Sequence, residues 1–302
     1  MSLEAIRDRV LPRLVAARVQ RLTLTGGEPF VHPQILEICS AAVDAGLSLG
    51  LCTNATCVSD EQIARLAELP EVHVNVSFDG FRAESHGRFR GNPASFDVTV
   101  QTTRRIADAG LLQGLLSTPN ALTTVEDYRD LCAFANAVGA DYVLMNPLSA
   151  FGRGVRSRRG LAADEQTMNT ILETANSQAG PDLEIVPIRF PNTDGAPLAP
   201  CIAGDIIYVF TDGAVAVCPY LVFAARSPAS RHADTEFLVG NILQEDIVDA
   251  LDRYSPDSLA VRTDPVCGSC ALSGRCGRGC PAAVVADGGT LGSRDRELCS
   301  MD

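Results

Sequence analysis

Four cysteines of this chain read Cys267-x2-Cys270-x5-Cys276-x3-Cys280, with Cys201 and Cys218 before them and Cys299 after. Thiolates in such an array hold iron–sulfur clusters or tetrahedral zinc. A zinc ribbon uses two short hooks and four ligands, whereas these seven cysteines run from residue 201 to 299. Clusters are therefore the favoured reading, and zinc the alternative. Two four-iron clusters take eight protein ligands, so the array is one short. A second, polar set lies nearer the N-terminus. In Gly26-Gly27-Glu28-Pro29, two glycines let the backbone approach a ligand closely, and a carboxylate can accept hydrogen bonds from an ammonium group. All 25 basic residues are arginine, so lysine Schiff-base catalysis is excluded.

Regular elements must position these groups. Short apolar runs at 21–25, 47–53, 72–78, 111–118 and 141–147 read as strands, and amphipathic stretches at 34–45, 60–69, 96–109 and 125–138 read as the helices between them. That alternation predicts parallel βα units. Gly46, Gly110 and Gly139 stand where helix C-caps belong. The strands end in polar residues: Thr25 to Glu28, Thr53-Asn54, Ser77-Phe78-Asp79-Gly80, Ser117 and Asn146-Pro147. In α/β barrels the working face forms at those ends. Residues 2–18 read as a helix, 153–160 as a basic loop, 163–178 as another helix and 190–200 as a linker. Beyond it the pattern predicts a hairpin turning at Asp212-Gly213, a strand at 238–243 and a short helix at 245–254. The expected organisation is an α/β barrel domain over residues 1–190 and a small cysteine-rich domain over 191–302.

Taken together, Cys201-x11-Gly213-x4-Cys218 and the cysteines from 267 to 299 resemble the SPASM domain, the auxiliary-cluster domain of many radical S-adenosylmethionine enzymes. The resemblance implies that Cys267, Cys270, Cys276 and Cys299 hold one [4Fe–4S] cluster and that Cys201, Cys218 and Cys280 hold another. Its fourth position is then open or filled by Asp205. Gly26-Gly27-Glu28-Pro29 is similar to that family's motif for the amino group of S-adenosylmethionine. Thr53-Asn54 resembles its third-strand motif, with Ala55 in place of glycine. Ser77 and Asp79 match its fourth-strand motif, Glu84-Ser85-His86 and Arg90-Gly91 the loop after it, and Asn146, Pro147 and Gly152-Arg153-Gly154 the segment lining the adenosine. The implied cofactor-binding set is Gly26, Gly27, Glu28, Pro29, Thr53, Asn54, Ser77, Asp79, Ser117, Asn146 and Arg153. The implied fold is a partial (β/α)6 barrel of TIM type lacking its first strand, followed by the SPASM domain.

One departure matters. The family's radical-initiating cluster is held by Cys-x3-Cys-x2-Cys, which residues 1–302 do not contain. Either the chain starts late relative to the family, the favoured expectation, or a scaffold has lost radical initiation. The chain as given is expected to be inactive alone. The implied activity is a maturase-like oxidoreductase acting through a 5′-deoxyadenosyl radical on a ribosomal peptide or a small metabolite. An electron donor and a peptide-recognition partner would accompany it. The alternative is a non-catalytic relative that keeps auxiliary clusters and binds a peptide or partner protein. A net charge of −12 argues against nucleic acid, and no long apolar run suggests a membrane span, so a cytoplasmic protein is expected. Cys39, Cys52, Cys57 and Cys132 are expected to be buried structural thiols, Glu126 and Asp127 ordinary first-turn helix acids, and Asp79 either a ligand or a cap. His86 reads equally as a solvated or a functional loop residue, and no catalytic residue is assigned.

Overall fold

The computed structural model describes residues 1–149, 152, 154, 160–192, 195–254 and 264–299. They form two compact units, one of residues 2–148 and 161–188, the other of residue 1 and the described residues among 149–160 and 189–299.

The first unit holds a six-stranded parallel sheet in sequential order. Its strands are β1 (Arg21–Leu24), β2 (Ser48–Thr53), β3 (Val72–Ser77), β4 (Leu112–Ser117), β5 (Tyr142–Met145) and β6 (Glu184–Pro187). The α/β expectation holds, although the sequence reading supplies only five of these strands. β6 is the addition: four residues ending in proline are a weak strand signal, and proline is tolerated at a sheet edge. Helices Ile35–Asp44, Asp60–Ala67, Ser95–Asp108 and Val125–Ala137 follow the first four strands in turn, as expected, and Glu165–Gln178 precedes the sixth. Gly46, Gly110 and Gly139 close three of these helices at φ +83°, +72° and +69°. The expected helix over 2–18 is interrupted: Ile6–Val10 is π-helical between Leu3–Ala5 and Leu11–Ala16. Pro12 has no N–H to return, and the Leu11 amide reaches the Ile6 carbonyl one residue farther back than in an α-helix.

Along the strands, side chains alternate between two faces. Leu49, Leu51, Val74, Val76, Leu115, Val143 and Met145 are fully buried, forming an apolar face. The other face carries glycines and polar residues. Arg21 Nη2 donates to Gln113 Oε1 at 2.6 Å, tying β1 to β4, and the Tyr142 hydroxyl donates to Asn75 Oδ1 at 2.6 Å, tying β5 to β3. In a flat sheet β1 and β4 would lie about 14 Å apart. A direct bond between side chains that stand off the sheet requires it to curl, as a partial barrel does. Tyr142 crosses β4 above Gly114, where a Cβ would come within 2.5 Å of the tyrosine ring.

The second unit contains an antiparallel sheet of β7 (Tyr208–Val209), β8 (Ala214–Ala216) and β9 (Leu238–Asn241), in that order. The Asp212-Gly213 turn forms as expected, with Gly213 at φ +87°. The expected helix at 245–254 is Ile247–Arg253. Two short helices, Pro219–Ala225 and Pro281–Ala286, pack together on a core of Ala216, Val217, Leu221, Val222, Phe237, Ala282 and Val285.

Gly114→Ala should destabilise the protein by about 2 kcal/mol, because Tyr142 must leave its place across the sheet. Urea unfolding of the variant against the wild type reads this as a lower midpoint at unchanged slope.

Candidate functional site

The polar residues at the ends of β1 and β2 converge. Glu28 Oε1 accepts from the Thr53 hydroxyl at 2.7 Å and from the Phe30 amide at 3.2 Å, while Oε2 accepts from the Asn54 amide at 2.8 Å. One carboxylate thus fastens the Gly26–Pro29 turn to Thr53-Asn54, and it caps the 3-10 turn Pro29–Val31. Ala55 follows at φ +59°, a left-handed conformation that favours glycine, and is fully buried. Gly26 has φ +127°, and a Cβ on either Gly26 or Gly27 would meet nothing within 4 Å. The backbone there faces open space, so a ligand can come close. Charged amino groups suit a carboxylate that retains acceptor capacity beside it.

The end of β3 forms a second, buried cluster. Asp79 is 1% exposed; its Oδ2 pairs with Arg90 Nε at 2.5 Å and its Oδ1 accepts from the Thr118 amide at 3.1 Å. Burial pushes this carboxyl up, and Arg90 and Thr118 oppose that without cancelling it. The Ser117 hydroxyl shares a 2.9 Å hydrogen bond with buried Tyr128, and the Asn146 amide donates to the Ser117 carbonyl at 2.9 Å. Ser77 ends β3 and is half-buried. Asp79 and Ser117 are therefore engaged inside the protein, unlike Gly26 and Gly27. Arg153 lies outside the described residues.

Two readings from the sequence need correction. His86 is not a solvated loop residue: it is 1% exposed, packs near Phe78 and Phe96, and its Nδ1 accepts from the Asp79 amide at 3.2 Å. Burial, aided by the Arg90 charge, drives its pKa down to about 4. Asp127 is not an ordinary helix acid. It accepts from the Ser85 hydroxyl at 2.6 Å, the Phe81 amide at 2.7 Å and the Thr124 amide at 2.8 Å, with Arg82 Nη1 at 3.3 Å. Burial raises its carboxyl, but the hydrogen bonds outweigh burial and hold it below its ordinary value. Asp127 thereby anchors the loop after β3 to the helix Val125–Ala137. Its spacing from Thr124 signals a capping box; nothing in the sequence signals the long-range bonds.

Cys39 and Cys132 are buried and pushed up by burial, to about 12 and about 11. The expectation of burial fails for the other two: Cys52 is half-buried and Cys57 exposed.

In the second unit the cysteines divide into two sets. Cys267, Cys270, Cys276 and Cys299 line one pocket together with Arg278 and Arg294. Cys218 lies within electrostatic reach of both Cys201 and Cys280. Among the described residues no three His, Cys, Asp or Glu side chains converge on a point as a single ion requires; the four cysteines instead border a shared hollow. Backbone amides point at the sulfurs. Ala203 N–H donates to Cys201, Leu272 N–H to Cys270 and Arg278 N–H to Cys276, each at 3.4 Å. Cys218 and Cys280 each precede a Cys-Pro helix start and receive amides from its first turn, Tyr220 and Leu221 for one, Ala282 and Ala283 for the other. Amide-to-sulfur bonds of this kind stabilise cluster thiolates. The donor chemistry fits two clusters. Asp205 is exposed.

A profile of the radical SAM superfamily matches residues 1–135. Mycofactocin maturase MftC of Mycobacterium ulcerans is 26% identical over 297 residues, 95% of this chain and 77% of that protein. An AdoMet-dependent heme synthase of Methanosarcina barkeri is 40% identical over 79 residues, 26% of this chain and 23% of that protein, so the likeness spans less than a quarter of that enzyme. Streptococcus suis SuiB, solved bound to S-adenosylmethionine, shares the fold at TM-score 0.75 and 15% identity, over 100% of this chain and 71% of SuiB.

The His86 shift has a sign. A base whose folded pKa is lowered from 6.5 to about 4 binds its proton more weakly in the folded state. Stability is complete above pH 6.5 and falls as the pH drops toward 4, by roughly 3 kcal/mol in all. His86→Gln should flatten the stability-versus-pH curve in that window relative to wild type, read by denaturant unfolding at a series of pH values.

Proposed function

We propose, from the profile match over residues 1–135 and the likeness to MftC and SuiB, that this chain is a radical SAM protein with a SPASM-type C-terminal domain and the body of a peptide-modifying oxidoreductase. The observation that carries the reading is the combination of two features. One is the Glu28 staple, which leaves Gly26 and Gly27 open. The other is the division of seven cysteines into a set of four and a set of three. A peptide substrate is supported by the maturase likeness and by SuiB, solved also with its precursor peptide SuiA.

In this reading S-adenosylmethionine, when bound and cleaved by one electron, supplies a 5′-deoxyadenosyl radical that abstracts hydrogen from the substrate. Glu28 holds the cofactor's ammonium group, oriented by Thr53 and Asn54, and the open backbone of Gly26-Gly27 admits the methionine moiety. Ser77, Asn146 and Pro29 line the remainder of that site. Asp79 and Ser117 act from behind it, with Asp79 holding Arg90. Cys267, Cys270, Cys276 and Cys299 hold one auxiliary cluster and Cys201, Cys218 and Cys280 the other. When bound, those clusters would supply one-electron redox chemistry beside the substrate. Residues 1–302 contain no Cys-x3-Cys-x2-Cys, and this reading assigns the initiating cluster no ligands among them. That same fact favours a second reading, a non-catalytic relative that binds clusters and a peptide.

One experiment separates the two. Protein expressed from the complete gene, purified anaerobically and reduced with dithionite, should release 5′-deoxyadenosine from S-adenosylmethionine. Cluster-loaded protein that releases none supports the non-catalytic reading. Glu28→Gln should weaken S-adenosylmethionine binding by about tenfold to a hundredfold, the worth of one charge-assisted hydrogen bond, read by equilibrium dialysis.

A further inference from the structure

The two cysteine sets are joined by the segment Cys276-Gly277-Arg278-Gly279-Cys280. This link is tightly held. A Cβ on Gly277 would lie 2.2 Å from Pro200 Cα, and one on Gly279 would lie 2.6 Å from Asp295 Cβ. The Gly277 amide donates to the Leu198 carbonyl at 2.7 Å. Arg278 itself sits at φ +69° and lines the pocket of the four cysteines, as does Arg294.

The charges around the two sets differ. Beside the four cysteines stand Arg278, Arg294 and one acid, Asp264, which lies 3.8 Å from Arg294. Beside Cys280 stand Arg189, which pairs with Glu297 at 2.9 Å, and buried Asp295, which accepts from the Cys280 amide at 3.0 Å. Among the described residues, two arginines line the four-cysteine pocket, whereas the arginine at Cys280 is paired with an acid. Other features act the opposite way. A set of three thiolates carries one negative charge fewer than a set of four. Cys218 and Cys280 also receive amides from the first turns of two short helices. Fewer ligand charges and more hydrogen bonds both raise a cluster's potential. Left alone, they would trap an electron on the three-cysteine cluster.

We propose that Arg278 and Arg294 are tuning residues that raise the reduction potential of the four-cysteine cluster toward that of its neighbour, so that one electron passes between the two. In that step one cluster is oxidised by one electron and the other is reduced by one; no ligand leaves and no proton moves. The proposal rests on the cysteine assignment above, but not on cleavage of S-adenosylmethionine.

The test is an EPR-monitored redox titration of cluster-loaded protein, wild type against Arg278→Gln and, independently, Arg294→Gln. Each variant is first matched to wild type in iron content. The expected result is a lower midpoint potential for the four-cysteine cluster, a nearly unmoved one for the three-cysteine cluster, and a larger shift in the double variant. Equal shifts in both clusters, or none, overturn the proposal. A wild-type protein that holds only one cluster overturns the cysteine assignment along with it, and is told apart by its iron content and its single titrating signal.

Discussion

The arrangement of the cysteine-rich unit hangs on one close approach. At Gly277 the backbone passes so near Pro200 that no side chain fits between them. That contact brings the strand of chain carrying Cys201 against the segment carrying Cys276 and Cys280, which are far apart in sequence. Asp295 closes the other side of the link through the Cys280 amide, and the Cys299 amide returns to the Asp295 carbonyl at 2.9 Å. Two short helices, each entered through a Cys-Pro step, then aim their first amides at Cys218 and Cys280. Seven thiolates would repel one another without such amides, arginines and metal. The unit's small apolar core leaves that repulsion to be balanced locally.

The barrel-like unit solves a different problem. Its interior face is polar and glycine-rich, so apolar packing alone does not curve it. The Arg21–Gln113 and Tyr142–Asn75 bonds tie non-adjacent strands together, and Gly114 makes room for the tyrosine. At the other end of the strands, Glu28 fastens two loops with a single carboxylate. Asp79, His86 and Asp127 do the same for the loop after β3, from positions with almost no solvent contact. The open glycines thus stand on a stiff base.

Much of this was legible in the sequence. Five strands, four intervening helices and the Asp-Gly hairpin follow from hydrophobic period and turn chemistry, because each is a local signal. The grouping of the cysteines came from the family resemblance, since spacing alone does not say which thiolates share a cluster. What stayed hidden is non-local. His86 and Asp127 look like surface residues, since burial is decided by which loops pack above them. β6 is short and ends in proline. The helices Pro219–Ala225 and Pro281–Ala286 lie where cysteines and prolines suggest only turns. The Glu28 bridge joins residues 25 positions apart, and only the parallel register of β1 and β2 brings them together.

The claim at the centre of this account is that the seven cysteines hold two separate iron–sulfur clusters. Iron and sulfide content per chain tests it most directly, on anaerobically reconstituted wild type and on a variant with Cys201, Cys218 and Cys280 all changed to alanine. The account predicts about eight irons in the wild type, about four in the variant, and negligible zinc in both. A zinc-bound wild type, or one with no more than four irons, would contradict it.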